Sequence, residues 1–305
     1  MPTENKKRVI ACIPAYNEEK TIAKIVLLAQ KFVDKVVVVD DGSEDLTGEI
    51  AKRLGAFVVR HDVRKGYGAA IQTCFKTAKE LNADIMVTLD ADGQHDPEEI
   101  PKLIKPILND EVDIVIGSRF LNQKSISEIP LYRRLGIKTI TFLTRKATGN
   151  QKISDAQSGF RAYSKKAIKE LEIDETGMSV STEILIKAVE KKLRIVEVPI
   201  FCKYKGIKGS THNPLRHGLN VITSVLNFIV IKHPLLLLGL PGVISLGLGL
   251  ILLWYVVQRY YAIRRLAIGT MILSTTLFLA GLFSMLIAFL LYVTTMRDKK
   301  INNRW

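Results

Sequence analysis

Cysteine is scarce in this chain, three in 305 residues. Cys12, Cys74 and Cys202 show no metal-ligand spacing, which argues against a disulfide framework or a thiolate metal site and leaves them as expected packing residues. The opening residues, MPTENKKRVIACIP, have no apolar stretch of signal-peptide length before the first expected strand, so nothing there argues for export. Charge is missing from two long stretches, Leu235 to Val257 and Leu266 to Met296. Negative charge is nearly absent late in the chain, where 29 of the 30 acidic residues precede position 234 and Asp298 is the exception. With 48% hydrophobic and 24% charged residues, the composition excludes disorder and collagen-like repeats.

Each charge-free run exceeds the roughly 20 helical residues that cross a bilayer core of about 30 Å. The short connection QRYYAIRR makes the pair a helical hairpin, with a boundary near His233-Pro234. Arg216, Lys232, Arg297, Lys299, Lys300 and Arg304 flank it, against Arg259, Arg264 and Arg265 in its loop. By the positive-inside rule the large N-terminal part is expected on the cytoplasmic side of the cell membrane. The formal charge is +14, and without the hairpin and tail 37 cations still face 29 anions. No nucleic-acid-binding motif accompanies that excess, so anionic lipid or a phosphorylated substrate explains it better.

Before the hairpin, β-branched runs alternate with helical patterns. RVIACIP precedes a helix expected over 18–31, KVVVVDD one over 46–54, AFVVR one over 67–81, and ADIMVTLDAD one over 97–108, with VDIVIGSR following. Apolar strands alternating with helices predict an α/β domain with a parallel sheet covered on both faces, and ligands beyond the strands' carboxyl ends. Polar residues gather at those ends: Pro14 to Glu19, Asp40 to Ser43, Asp90 to Gln94, and Gly117 to Arg119. Two segments read as interfacial. In 215–230, Leu215, Leu219, Ile222, Val225, Leu226 and Ile229 share one helical face, the pattern of a helix lying in a membrane surface. In 131–147, Arg134, Lys138 and Arg145 border Leu131, Leu135 and Phe142, which suits either that role or an ordinary surface helix.

Asp90 and Asp92, at i and i+2 where an apolar strand ends, can turn toward one hard divalent cation and leave positions for phosphate oxygens. Gln94 and His95 follow within reach, and Asp90, Asp92 and Gln94 are the expected metal and diphosphate site. Asp40-Asp41-Gly42-Ser43 offers acceptors for the N–H groups of a base, or a helix N-cap turn. Lys65-Gly66-Tyr67-Gly68 reads as a phosphate-cradling turn into a helix.

Together, PAYNEE, VVVVDDGSEDLT, KGYGAA, LDADGQHDPEEIP, DIVIGSR, SDAQSGFRAYS and IVEVPI resemble family 2 glycosyltransferases of the GT-A fold. Among them the pattern is similar to polyprenyl-phosphate sugar synthases of the dolichol-phosphate mannose or glucose synthase type, over about the first two hundred residues. With the apolar and amphipathic segments read above, the expected organisation is a cytoplasmic GT-A domain over 1–213, an amphipathic juxtamembrane helix over 214–233, a hairpin over 234–297 with spans near 235–257 and 268–294, and a basic tail over 298–305. For the first of these the resemblance is specific. It implies a nucleoside pocket lined by Pro14, Tyr16, Glu18 and Asp41, with Lys65, Gly66, Asp90 and Ala91 completing the nucleotide site. Asp90, Asp92 and Gln94 would hold Mg²⁺ or Mn²⁺. Arg119 and Arg133 would bind the acceptor phosphate with Ser158 beside it, so that Asp92, Arg119 and Arg133 carry the catalysis. Near Lys203 the family's Arg-rich, donor-closing segment is replaced by CKYKGIKGSTH, with Lys205 and Lys208 in place of arginine and Thr211 where lysine is common.

The implied partners are a nucleotide sugar (GDP-mannose, UDP-glucose or a UDP-N-acetylhexosamine), a polyprenyl (dolichyl) phosphate and the membrane, with no nucleic acid. A hairpin this small also leaves room for self-association. A phosphate whose second pKa is about 6 is already ionised at neutral pH, so the reaction asks for cations rather than a general base. Two other readings predict different residues. A glycosyltransferase extending a lipid-linked saccharide would need a base, with Asp155 or Glu183 as candidates. A non-catalytic nucleotide-binding membrane module would not need the intact Asp90-Ala91-Asp92.

Overall fold

The computed structural model of the protein describes residues 7–109, 111–149, 152–202 and 235–302. The expected helix over 214–233 and the closing-segment residues Lys205 and Lys208 lie outside them. The chain divides into two compact units, Met1–Val225 and Leu226–Trp305.

The first unit is built on seven strands: β1 (Val9–Ala15), β2 (Lys35–Asp40), β3 (Phe57–Arg60), β4 (Ile85–Thr88), β5 (Ile114–Ser118), β6 (Arg161–Ser164) and β7 (Ile195–Pro199). Their order is β3-β2-β1-β4-β6-β5-β7. The pairs β1–β2, β1–β4, β2–β3 and β5–β7 are parallel. Against the expected run of parallel strands, β6 lies antiparallel between β4 and β5. That reversal has a consequence for the site: the residues just before β6, Ser158 to Phe160, come to the rim where β4 and β5 end.

Strand residues alternate between two apolar layers, as a sheet covered on both faces requires. Ala11, Ile13, Val36, Val38 and Val87 face α1 (Ile22–Ala29), α2 (Thr47–Arg53) and α4 (Ile100–Leu108). Ile10, Cys12, Val37, Val39 and Met86 face α3 (Tyr67–Glu80), α7 (Lys165–Glu170) and α8 (Val180–Glu190). Each fully buried aliphatic side chain contributes about 1.5–3 kcal/mol. The three cysteines are buried and unbridged, as expected, with Cys12 and Cys74 in the second layer.

Two helix starts differ from expectation. The first helix begins at Ile22 rather than near Glu18. Residues 17–19 are held as a loop instead, because Ser43, Thr47 and Asp45 side chains accept from the N–H groups of Asn17, Glu18 and Glu19. The helix expected over 97–108 opens as a 3₁₀ turn, Pro97–Glu99, capped by Asp96, before α4 begins. Between β5 and β6 stand α5 (Gln123–Glu128) and α6 (Leu131–Thr148), the latter ended by Gly149 in the left-handed region.

The second unit contains two helices long and apolar enough to cross a membrane, α9 (Leu240–Ile263) and α10 (Ile268–Asn302, apolar to Val293). The first runs six residues past its expected end, until Arg264 adopts φ 55°. Small residues let the pair approach closely. Gly242, Gly249 and Val256 on α9, and Ser274, Gly281 and Ala288 on α10, are buried and each set repeats every seven residues, the period of a left-handed helical seam. A Cβ on Gly281 would lie 2.5 Å from the backbone nitrogen of Leu246. Ser245 and Ser284 hydroxyls donate to the Leu277 and Leu238 carbonyls across the seam. Outward sit Ile251, Trp254, Phe283 and Phe289, each at least 60% exposed.

Candidate active site

Strand order reverses between β1 and β4, where neighbouring connections leave in opposite directions and open a crevice at the carboxyl ends. Tyr16 to Glu19 enter it from β1 and Asp90 to Gln94 from β4. A cavity of about 600 Å³ extends from this rim beyond β2 and β3, lined among others by Tyr16, Ser43, Arg60, Asp62 and Arg64. The Arg64 guanidinium lies 4.1 Å from the centre of the Tyr16 ring, so a flat group entering here meets an aromatic face and cations. Behind the lining residue Arg60 the carboxylate of Asp40 is fully buried, 3.2 Å from the guanidinium.

Asp41 has a different role from the open acceptor expected of it. Its carboxylate is buried and receives the N–H groups of Lys65 and Gly66 and the imidazole of His61. Gly66 has φ 103°, and added Cβ atoms on Gly66 and Gly68 would come within 2.9 and 2.4 Å of the Thr176 and Glu175 carbonyl oxygens. The glycines thus serve a close approach between this turn and the 175–177 loop. That loop is held in turn by Glu183, which accepts from Asp174 and Glu175 N–H groups. Lys65 itself is exposed.

At the end of β4, burial pushes the carboxyls of both Asp90 and Asp92 above the usual carboxylate range. Asp90 raises Asp92 further, while Arg133 lowers it; Arg119 and Arg161 lower Asp90. Burial likewise raises Glu18, with Asp92, Asp45 and Asp90 adding repulsion. Tyr67 donates to Asp90 at 3.1 Å, and Asp92 caps the backbone N–H of Gln94. Ala91 is buried beneath the pair. His95, which follows Gln94, is buried against Phe160. Burial lowers its pKa to about 4, so the ring is uncharged at neutral pH and its 3.7 Å approach to Asp90 is not an ion pair. Its Nδ1 is buried without a hydrogen-bond partner.

The expected acceptor residues divide. Arg133, on α6, is half-buried and acts on Asp92 across the crevice. Arg119 is 8% exposed and its guanidinium is gripped by both oxygens of Asp155 at 2.7 Å. Asp155 is held below the usual carboxylate range despite its burial, chiefly by that guanidinium. Glu197 supports it by accepting from the Ser154 and Asp155 N–H groups. Ser158 is fully buried in a turn, and the structure does not bring its hydroxyl to the open rim. Pro14 is likewise buried within β1.

Several site residues were not singled out from the sequence. Gly159 is the clearest: an added Cβ would lie 2.9 Å from both Asp90 carboxylate oxygens and 2.8 Å from the Tyr67 hydroxyl. Arg161, 1% exposed, donates to the carbonyls of Ser158, Ser181 and Ala156 and so fixes the turn containing Gly159. Tyr67 stands in KGYGAA and Gly159 in SDAQSGFRAYS, but only tertiary contact identifies their target.

A family model, glycosyl transferase family 2, matches residues 10–172. A UDP-N-acetylglucosamine–dolichyl-phosphate N-acetylglucosaminyltransferase of Methanococcus voltae is 39% identical over 71% of this chain and 91% of its own length. A dolichol-phosphate mannosyltransferase of Pyrococcus furiosus is 38% identical over 63% of this chain and 55% of its own. The fold is similar to that of glucosyl-3-phosphoglycerate synthase from Mycobacterium tuberculosis, solved with Mn²⁺ and UDP-glucose, at a TM-score of 0.59 and 22% identity over 73% of this chain and 79% of that one.

Proposed function

The chain belongs to glycosyl transferase family 2, and from that premise we propose that it moves a hexose from a nucleotide sugar to a polyprenyl phosphate at a membrane surface, with inversion. One observation carries the reading. The carboxyls of Asp90 and Asp92 stand close enough to Arg133, half-buried on α6, for its charge to lower Asp92, while the buried Arg119, committed to Asp155, lowers Asp90. Groups suited to a metal-bound diphosphate and groups suited to a second phosphate therefore meet in one place.

The residues fit a divalent metal. Among the described residues no three His, Cys, Asp or Glu side chains form a ready-made cage. Two crowded carboxylates and the Gln94 amide instead suit Mg²⁺ or Mn²⁺ bound jointly with a diphosphate. Such an ion, when bound, supplies a Lewis acid that stabilises the leaving diphosphate. The protein's own groups do the rest. Tyr16 and Arg64 receive the base, Tyr67 and Gly159 hold the Asp90 carboxylate in place, and Arg133 orients the acceptor phosphate. An acceptor phosphate oxygen forms the new bond to the anomeric carbon as the bond to the diphosphate oxygen breaks. The acceptor is already ionised, so no base takes a proton.

The competing saccharide-extending reading loses its candidate bases. Asp155 is committed to Arg119. Glu183 is 1% exposed and accepts two backbone N–H groups while paired with Lys187. The apolar stripe of α6 supports a membrane-surface acceptor: Leu131, Leu135 and Phe142 are 77, 69 and 57% exposed, on the helix that carries Arg133. We assign the catalytic domain to the cytoplasmic face, anchored by α9 and α10, and extend the proposal to self-association through their outward apolar faces. Crosslinking in native membranes that traps only monomer would remove that extension.

The relatives' names divide between N-acetylglucosamine and mannose, so the assay offers each labelled nucleotide sugar in turn. Membranes containing the protein are given polyprenyl phosphate, Mg²⁺ or Mn²⁺ and one donor. Label in the organic phase from a single donor is the expected result and identifies the sugar. No label from any donor, with the protein folded and nucleotide-bound, overturns the proposal.

A further inference from the structure

His61 stands just beyond β3, is 7% exposed, and belongs to none of the motifs that pointed to the site. Its backbone N–H extends the sheet by donating to Asp40. Its ring joins three separate elements. Nδ1 lies 2.7 Å from an Asp41 carboxylate oxygen at the end of β2, and Nε2 lies 2.9 Å from the Thr73 hydroxyl on α3. A carboxylate only accepts, so Nδ1 carries the hydrogen of that bond; the Thr73 hydroxyl, which also reaches the Ala69 carbonyl at 3.0 Å, has one hydrogen to give to either that carbonyl or Nε2.

The same Asp41 carboxylate receives the backbone N–H of Lys65 at 2.9 Å and of Gly66 at 2.8 Å. Those two peptides form the turn into α3, and the following residue, Tyr67, is the one that touches Asp90. Gly66 is in a conformation that costs an L-residue free energy, and it is held there from outside by Asp41. The carboxylate is therefore a hub whose orientation sets the turn, and His61 reaches it with a side-chain donor from the β3 side. Rotation of Asp41 away from His61 would release both N–H groups and, through Tyr67, shift Asp90.

We propose that His61 is a positioning residue for the donor: through Asp41 it fixes the Lys65-Gly66-Tyr67 turn against the diphosphate side of the crevice. The inference rests on the nucleotide-sugar reading above. It touches no reacting atom, so its signature is in donor affinity.

Asparagine and glutamine separate the two ends of the ring. The Asn amide nitrogen overlays Nδ1 and preserves the bond to Asp41, whereas the Gln amide nitrogen overlays Nε2 and preserves only the bond to Thr73. In the full-length protein in membranes, H61Q is expected to raise the KM for the nucleotide sugar about tenfold, the size expected for one lost hydrogen bond to a charged group, with the KM for polyprenyl phosphate within about twofold. H61N recovers most of that loss, and T73V leaves the donor KM nearly unchanged. Titration with the matching nucleoside diphosphate alone, read by calorimetry, follows the same order.

Equal donor KM values for H61Q and H61N overturn the inference, as does an H61Q chain that fails to fold, since the role is then structural. A T73V effect as large as that of H61Q also overturns it. Wild-type protein that transfers from no donor and binds no nucleoside diphosphate sinks the donor reading itself, and the inference with it; an active wild type with indifferent His61 variants sinks the inference alone.

Discussion

A glycine can be a catalytic requirement without contributing an atom to the chemistry. We propose Gly159 as such a residue: its missing side chain leaves the room in which Asp90 and the Tyr67 hydroxyl meet. G159A is expected to displace the carboxylate by a large part of an ångström, and misplacement on that scale costs about a hundredfold in rate. The overpacking itself costs about 1–3 kcal/mol, so the variant remains folded; transfer rate beside the thermal midpoint separates the two effects. A variant keeping wild-type transfer would show that Asp90 needs no fixed orientation. Asp155 makes a pH-dependent contribution instead. Its folded-state pKa is depressed by Arg119, so its stabilisation is present above the unfolded value of about 3.9 and is lost as pH falls through the lower folded value. Removing one partner of a buried pair costs about 3–5 kcal/mol. The stability gap between wild type and D155N is expected to hold from pH 7 to about 5 and to narrow below about 4. Denaturant midpoints across that range check it, and a gap that widens in acid would contradict the assigned sign.

Among the elements, α6 joins the two requirements of a lipid-phosphate acceptor. One side of the helix packs inward through Ile137, Ile140, Thr141 and Thr144, and the side bearing Leu131, Leu135 and Phe142 stays open. L135S/F142S is expected to weaken use of a long-chain polyprenyl phosphate in vesicles about tenfold or more, each large apolar side chain being worth about 1.5–3 kcal/mol when buried. Its use of a short, water-soluble prenyl phosphate is expected to change little. R133A, by contrast, weakens both acceptors and spares donor binding. Equal losses of L135S/F142S on both acceptors would return α6 to an ordinary surface helix. The sequence pattern placed this stripe correctly but left its setting open, because the same spacing describes a stripe packed on the domain. The strands β1 to β5 were legible because near-continuous apolar runs have few alternatives. The reversal at β6 was not, since Arg161–Ser164 is four residues long and its direction is decided by the chain's return from α6. The loop at 17–19 escaped for a related reason: its N–H partners, Ser43, Asp45 and Thr47, lie more than twenty residues away.

On the scale of the whole molecule, sequence patterning divides the labour plainly. Acidic residues and strand-helix alternation belong to the first unit, while the second offers two helices whose outward residues are nearly all apolar. The candidate site was legible as motifs at strand ends, because the fold carries every parallel strand's carboxyl end to one rim. What the motifs did not convey was mutual commitment: Asp41 is spent on a turn and Asp155 on Arg119, and only the folded contacts reveal it. The proposed orientation rests on charge. Arg297, Lys299, Lys300 and Arg304 follow the apolar part of α10, and Arg216 and Lys232 precede α9, against Arg259 near the end of α9 and Arg264 and Arg265 between the helices. Cytoplasmic loops retain the excess of lysine and arginine, and the proposed topology accordingly puts both ends of the hairpin inside, where nucleotide sugars are made. Protease added to sealed, right-side-out vesicles is therefore expected to leave the N-terminal domain intact, and protease added to inverted vesicles to degrade it. Raising the loop's count should weaken the preference: substituting lysine for Gln258, Tyr261 and Ala262 is expected to give a mixed population, seen as partial protection in both preparations. Full protection in inverted vesicles of the unaltered protein would place the domain outside, and the proposed donor would then have to be supplied there.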